Sequence, residues 1–201
     1  MVWQKFWRTL HIYVSMFVLV IFMFFAVTGI TLNHPDWQLS AGKSAGTLQL
    51  QLPAGLQQLT FGEDNLQNAV PAGQIADWLR REHQVQGAVF AFNYEPDEQL
   101  LELDFKQPAG FTNVQIELQS GAVSLEREFA GYLALANDLH KGRYAGTAWK
   151  WLIDLVALAC LLFAISGFYL LWRQPARRFW GVQAALTGLG ITLLVYLAAL
   201  H

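Results

Sequence analysis

Hydrophobic residues fill three unbroken stretches of this chain and alternate with polar ones in the segment between the first two. Ile12 to Leu32, Leu155 to Trp172 and Phe179 to Leu200 contain no Asp, Glu, Lys or Arg and run for 21, 18 and 22 residues. Each matches the roughly 20 apolar residues an α-helix needs to cross the hydrocarbon core of a bilayer. The second does so more clearly when Trp149 to Asp154 is included. A secretory signal has a shorter apolar core, about 7–15 residues, and ends in small residues. Here the first run leads into His34, Pro35 and Asp36, which predicts an uncleaved anchor.

A different rhythm governs the roughly 110 residues between the first two spans. Ser40 to Gly55 is rich in Gly, Ser and Gln and reads as a linker with one short strand. Pro71 to Val85 reads as a helix, with Pro71 in its first turn and Ile75, Trp78 and Leu79 on one face. Strict alternation follows: Phe90, Phe92 and Tyr94; then Leu101, Leu103 and Phe105; then Val114, Ile116 and Leu118. Glu95 to Glu98 and Gln107 to Gly110 are turns, and Ser120-Gly121 turns the chain into Ala122 to Leu125. Phe129 to Leu139 is helical and leads back to the membrane. The fold class is therefore an α-helical membrane protein with three transmembrane helices and an inserted small α+β extracytoplasmic domain. Its expected segments are 1–34, 35–147, 148–173, a hinge at 174–178, and 179–201.

Composition agrees: of 201 residues, 54% are hydrophobic and 14% charged, too apolar for an ordinary soluble domain. The placement of charge sets an orientation. Lys5 and Arg8 precede the first span, and Arg173, Arg177 and Arg178 fill the hinge, with no acid in either place. Fourteen of the fifteen acidic residues lie between Asp36 and Asp138, and the fifteenth is Asp154. The positive-inside rule puts both basic segments in the cytoplasm, and His34 to Thr147, with the end of the chain at His201, on the other side. In a Gram-negative cell that side is the periplasm. The single cysteine, Cys160, falls within the second span and reads as inert filler. No basic stripe suits a nucleic acid. There is no glycine-rich phosphate loop, no Cys-x-x-Cys-His, no His-Glu-x-x-His and no Ser-centred elbow, which excludes kinase and peptidase chemistry and covalent haem.

What remains is histidine. His11 and His34 bracket the first span, and His140 stands just ahead of the second. The first two are 23 residues apart, about 34 Å of helix, so one helix would carry an imidazole at each face of a bilayer. Two readings stand for each: a polar group in the interfacial belt, helix cap or loop, or a metal ligand. Three of five histidines at membrane boundaries favour the second, and in a membrane the usual imidazole-bound metal is haem iron. His34 and His140 share the outer face and would supply two axial ligands to one haem. His11 would need a partner from another chain or a different residue type. His83, among Arg80, Arg81 and Glu82, reads as solvated.

Other positions carry open alternatives. Gly29 and Gly167 admit either a packed helix or a porphyrin face, and packing is the simpler reading. Gly181, Gly188 and Gly190 suggest helix contacts at a subunit interface. Asp154, one turn inside the second span, is either paired with Lys150 or a proton-handling group. Lys141 and Arg143 are either solvated or partners for haem propionates or an anionic substrate.

Leu10-His11, Thr28-Gly29-Ile30-Thr31-Leu32-Asn33-His34, Asp138-Leu139-His140-Lys141-Gly142 and Ser166-Gly167-Phe168-Tyr169-Leu170-Leu171-Trp172 occur here in that order. In this the chain resembles the PepSY-associated transmembrane helix family, and its helix-plus-meander segment looks like a PepSY domain. The resemblance implies an inner-membrane protein that binds haem b and reduces ferric iron or a ferric siderophore on the periplasmic side. Larger relatives repeat the unit of span, outer domain and span, whereas this chain carries one, so a homodimer is expected to restore the doubled arrangement. Electrons would enter near His11 from an external donor, because no flavin or nicotinamide motif is present. Two other classes fit the same residues. One is a non-enzymatic accessory protein whose PepSY-like domain binds a transporter or peptidase. The other is a haem sensor or carrier without turnover.

Overall fold

The computed structural model describes residues 2–35, 37, 44–63, 65–87 and 89–200. Asp36, the start of the expected linker at Ser40, Ala88 and His201 lie outside them. The chain divides into two compact units, one of Met1–Phe24 with Ile153–His201, the other of Phe25–Leu152.

The first unit is helical. It holds most of α1 (Val2–Asn33), the larger part of α5 (Thr147–Trp172) and all of α6 (Pro175–Ala199). All three are long and apolar enough to cross a membrane. Their apolar side chains point outward, Phe17, Leu161 and Leu194 among them, as expected where lipid rather than a protein core receives them. Arg173 and Gln174 close α5, and Pro175 opens α6 at the position where its missing N–H costs nothing. Trp172, at the end of α5, receives the Arg178 guanidinium 5.0 Å from its ring centroid.

The second unit is a five-stranded antiparallel sheet covered on one face by a helix. Its elements are β1 (Ser44–Gln51), α2 (Ala54–Gln57), α3 (Asn65–Glu82), β2 (Val89–Glu95), β3 (Leu100–Gln107), β4 (Gly110–Glu117), β5 (Ala122–Phe129) and α4 (Tyr132–Lys141). The strand order is β1-β5-β4-β3-β2. Register follows from alternation, since a slip of one residue would turn every inward side chain to water. Leu103 pairs with Val114, Val114 with Leu125 and Leu125 with Leu48, which makes one apolar row across four strands. Leu101, Ile116 and Val123 make a second row. Against these rows α3 buries Ala72, Ile75, Ala76 and Leu79. Burying each large side chain contributes about 1.5–3 kcal/mol before conformational entropy is counted.

Several element boundaries differ from the sequence expectation. Helix α3 starts at Asn65, not at Pro71, so the proline lies inside it and removes one backbone hydrogen bond there. The preceding turn is held by Asn68, fully buried, which accepts from Gly62 N–H at 2.8 Å and donates to Gly62 C=O at 2.7 Å. That anchor and the buried face around Ile75 outweigh the proline's cost. The helix also ends early, at Glu82, and Val85 is buried as loop. Strand β5 extends to Phe129, paired with Ser44 and Gly110, and α4 begins only at Tyr132 after Gly131, whose φ is 95°.

Candidate functional site

In the sheet-containing unit, α4 meets the end of α1 through pairs of residues at helical spacing. Thr31 Oγ1 lies 2.8 Å from the Asn137 amide, and three residues on, His140 Nδ1 lies 2.6 Å from Thr28 Oγ1. The His140 ring stands edge-on to Phe25, with centroids 4.9 Å apart, and its Cε1 would be 3.7 Å from a Cβ placed on Gly29. The backbone around His140 is held at several points. Asp138 Oδ2 accepts from Ala109 N–H at 2.9 Å, which ties α4 to the turn between β3 and β4. Leu139 C=O accepts from Trp149 Nε1–H at 2.8 Å. Gly142 then takes the left-handed conformation, φ 65°, and ends the helix with its N–H on Leu139 C=O while Arg143 N–H reaches Asp138 C=O. The glycine in His140-Lys141-Gly142 is thus the stop that leaves the histidine in the last turn.

In the helical unit, α1 presents His11 to α5. The imidazole stacks on Phe163, with centroids 4.7 Å apart and planes 14° from parallel. Its Nδ1 is 2.9 Å from Ser166 Oγ, and a Cβ on Gly167 would stand 3.2 Å from its Cε1. One turn earlier on α1, Trp7 packs on Tyr169 at 5.1 Å.

His34, just past the end of α1, stacks on Trp37 at 4.4 Å with planes 7° apart. His34 and His140 are both half-buried, and among the described residues each ring has its own partners rather than the other. Lys141 and Arg143 are exposed and form no ion pair among the described residues. Asp154 is exposed on α5, and Cys160 is half-buried. His83, expected to be solvated, is half-buried with its ring edge-on to Trp78 at 4.7 Å. A cavity of about 320 Å³ opens beside α4, lined by Ala134, Asp138, Lys106, Glu128 and Tyr144 among others.

Among the described residues no three His, Cys, Asp or Glu side chains converge on one point. The chemistry of the donors suits a different arrangement. His11 and His140 each have one ring nitrogen engaged by a hydroxyl and the other without a hydrogen-bond partner among the described residues. An imidazole so held could serve as a ligand to a haem iron, which would need only one or two such ligands from the protein. Reading Gly29 and Gly167 as packing residues missed the groups beside them: Thr28, Ser166, Phe25 and Phe163 make the contacts that hold the rings.

Residues 3–201 match the family described as "Putative PepSY_TM-like", and the chain belongs to that family. No curated protein and no solved structure matches it.

Proposed function

We propose that this member of the PepSY_TM-like family is a haem b-binding reductase of the bacterial inner membrane that passes electrons to ferric iron or a ferric siderophore in the periplasm. The observation that carries the reading is the state of His11 and His140. Each is fixed at Nδ1, packed against an aromatic ring, and offers its second nitrogen to no protein group among the described residues. An imidazole anchored at one nitrogen with the other free of protein partners is well suited as a ligand.

The roles follow from position. By the positive-inside rule, the basic residues at the start of α1 and in the α5–α6 turn support a cytoplasmic side for those segments and a periplasmic side for the sheet-containing segment. His34 and His140 supply imidazoles on the periplasmic side. His11 supplies one on the cytoplasmic side, where the same residue of a two-fold partner completes the pair. Lys141 and Arg143, exposed directly after His140, offer cations to propionates or to an anionic ferric chelate. When bound, haem supplies a one-electron carrier whose potential responds to its axial ligands and to burial. The chain's own work is to hold the imidazoles, to keep their environment apolar and to present the periplasmic face to the acceptor. An external donor provides the electrons.

The test is an absorption spectrum of the purified, detergent-solubilised protein, oxidised and then reduced with dithionite. The expected result is a low-spin, six-coordinate haem that acid–acetone extracts and that a ferric chelate reoxidises. A colourless preparation from haem-replete cells would overturn the reading and leave a membrane-anchored accessory protein in its place.

A further inference from the structure

Two pentapeptides on different helices share one pattern: Phe25-Ala26-Val27-Thr28-Gly29 on α1 and Phe163-Ala164-Ile165-Ser166-Gly167 on α5. Positions one, four and five of such a segment lie on one helix face. In both copies those three positions meet a histidine, with the phenylalanine against the ring, the hydroxyl on Nδ1 and the glycine beside Cε1. The two intervening residues are exposed in both copies. Thr28 and Ser166 are the buried polar residues of α1 and α5, at 4% and 0% exposure. Two copies with the same spacing, burial and ligand-facing atoms are hard to ascribe to packing alone.

The hydrogen bonds also point to which nitrogen is which. A hydroxyl has one proton to give and lone pairs with which to accept. Ser166 Oγ–H donates to Phe163 C=O at 2.9 Å, three residues back on its own helix. Thr28 Oγ1 faces Phe25 C=O three residues back as well, at a longer 3.4 Å, so the direction of its proton is taken from the matching Ser166. With the Ser166 proton directed to the backbone, its oxygen is left to accept and the His11 imidazole to donate from Nδ1, and the repeat extends the same arrangement to Thr28 and His140. Nδ1 then carries hydrogen, and the lone pair sits on Nε2.

We infer that the pentapeptides are a duplicated histidine holder in which Thr28 and Ser166 are positioning residues, setting His140 and His11 as Nδ1–H tautomers that present Nε2 as the ligating atom. That Nε2 ligates haem iron rests on the function proposed above, whereas the tautomer is a property of the chain itself.

The experiment is nitrogen NMR of the full chain, labelled with ¹⁵N-histidine and prepared without haem in detergent, at about pH 8.5, some two units above the ordinary histidine pKa. The expected spectrum shows protonated Nδ1 and unprotonated Nε2 for both His11 and His140. Thr28→Val should abolish this signature for His140 and leave His11 unchanged; Ser166→Ala should do the converse; Thr28→Ser and Ser166→Thr should retain it. An unprotonated Nδ1 on either ring in the unmodified protein would overturn the proposal, even if no variant folds. So would Thr28→Val or Ser166→Ala variants that fold and keep both signatures. A parallel haem-loading titration separates the two ideas. Correct tautomers in a protein that takes up no haem support the holder and remove the reductase reading, while haem bound through Nδ1 does the reverse.

Discussion

Alanine at Gly167 and alanine at Gly29 make the same chemical change in two matching pentapeptides, yet they should have different effects. Carbon atoms attract best at about 3.5–4.0 Å. The added methyl at position 29 would stand 3.7 Å from His140 Cε1, an ordinary contact. At position 167 it would stand 3.2 Å from His11 Cε1, so the ring must retreat by about 0.3–0.5 Å. It has little freedom to do so, with one face on Phe163 at 4.7 Å and Nδ1 held at 2.9 Å by Ser166. Such a retreat stretches that bond to or past the usual limit of about 3.2 Å. Both helices gain up to about 1 kcal/mol from replacing glycine by alanine. Overpacking at a fixed site costs about 1–3 kcal/mol. Gly29→Ala should therefore be neutral or stabilising by up to about 1 kcal/mol, and Gly167→Ala neutral to destabilising by about 2 kcal/mol. Thermal unfolding in detergent reads the sign, and the ring resonances show which histidine moved: His11 should shift in Gly167→Ala, and His140 should hold its place in Gly29→Ala. Equal displacement of the two rings, or a destabilised Gly29→Ala, would refute the geometry.

Alanine at His34 or at His140 should each remove the same periplasmic-side haem, and alanine at His11 should spare it, as haem per chain and the reduced spectrum will record. Unchanged haem content in both His34→Ala and His140→Ala would reject the ligand assignment. Asn68→Ala should destabilise the sheet-containing unit by about 2–4 kcal/mol, because it deletes two hydrogen bonds and strands the Gly62 backbone groups they served; urea unfolding of the full chain measures this, and a loss below about 0.5 kcal/mol would contradict it. The protein should be a homodimer in detergent once bound detergent is subtracted from its mass. A monomer with full haem content would defeat the shared cytoplasmic-side ligand pair.

Much of the architecture was legible because it rests on periodicity. Three charge-free runs gave the three long helices, and alternation at Leu101, Leu103 and Phe105 gave an inward-facing strand. What alternation and helical spacing cannot express is tertiary support for a locally poor choice. Pro71 argued for a helix start, and only the Asn68 anchor and the burial of Ile75 explain why the helix begins six residues earlier. The histidines stood out as residues, but their partners did not, because a serine or threonine in an apolar run commonly bonds its own helix. The signal that would have found them was the repeat Phe-Ala-x-Thr/Ser-Gly, visible only when the two spans are compared with each other.

That repeat suits the medium its helices occupy. In a bilayer the backbone of each helix satisfies itself, so side chains alone must grip a neighbouring imidazole. An asparagine or glutamine in that place would bring a second donor that also needs a partner. A serine such as Ser166 brings one proton, returns it to the carbonyl three residues back, and keeps a lone pair for the ring, and threonine carries the same hydroxyl. Glycine next to it lets the ring approach the helix, and phenylalanine one turn earlier gives it an apolar surface to lie on. Among the described residues, the hydroxyl and Nδ1 of each group are engaged, and Nε2 of the histidine has no protein partner. On the function proposed above, that nitrogen is the one that would take the ligand, and the two copies present it with phenylalanine, a hydroxyl residue and glycine at the same three positions.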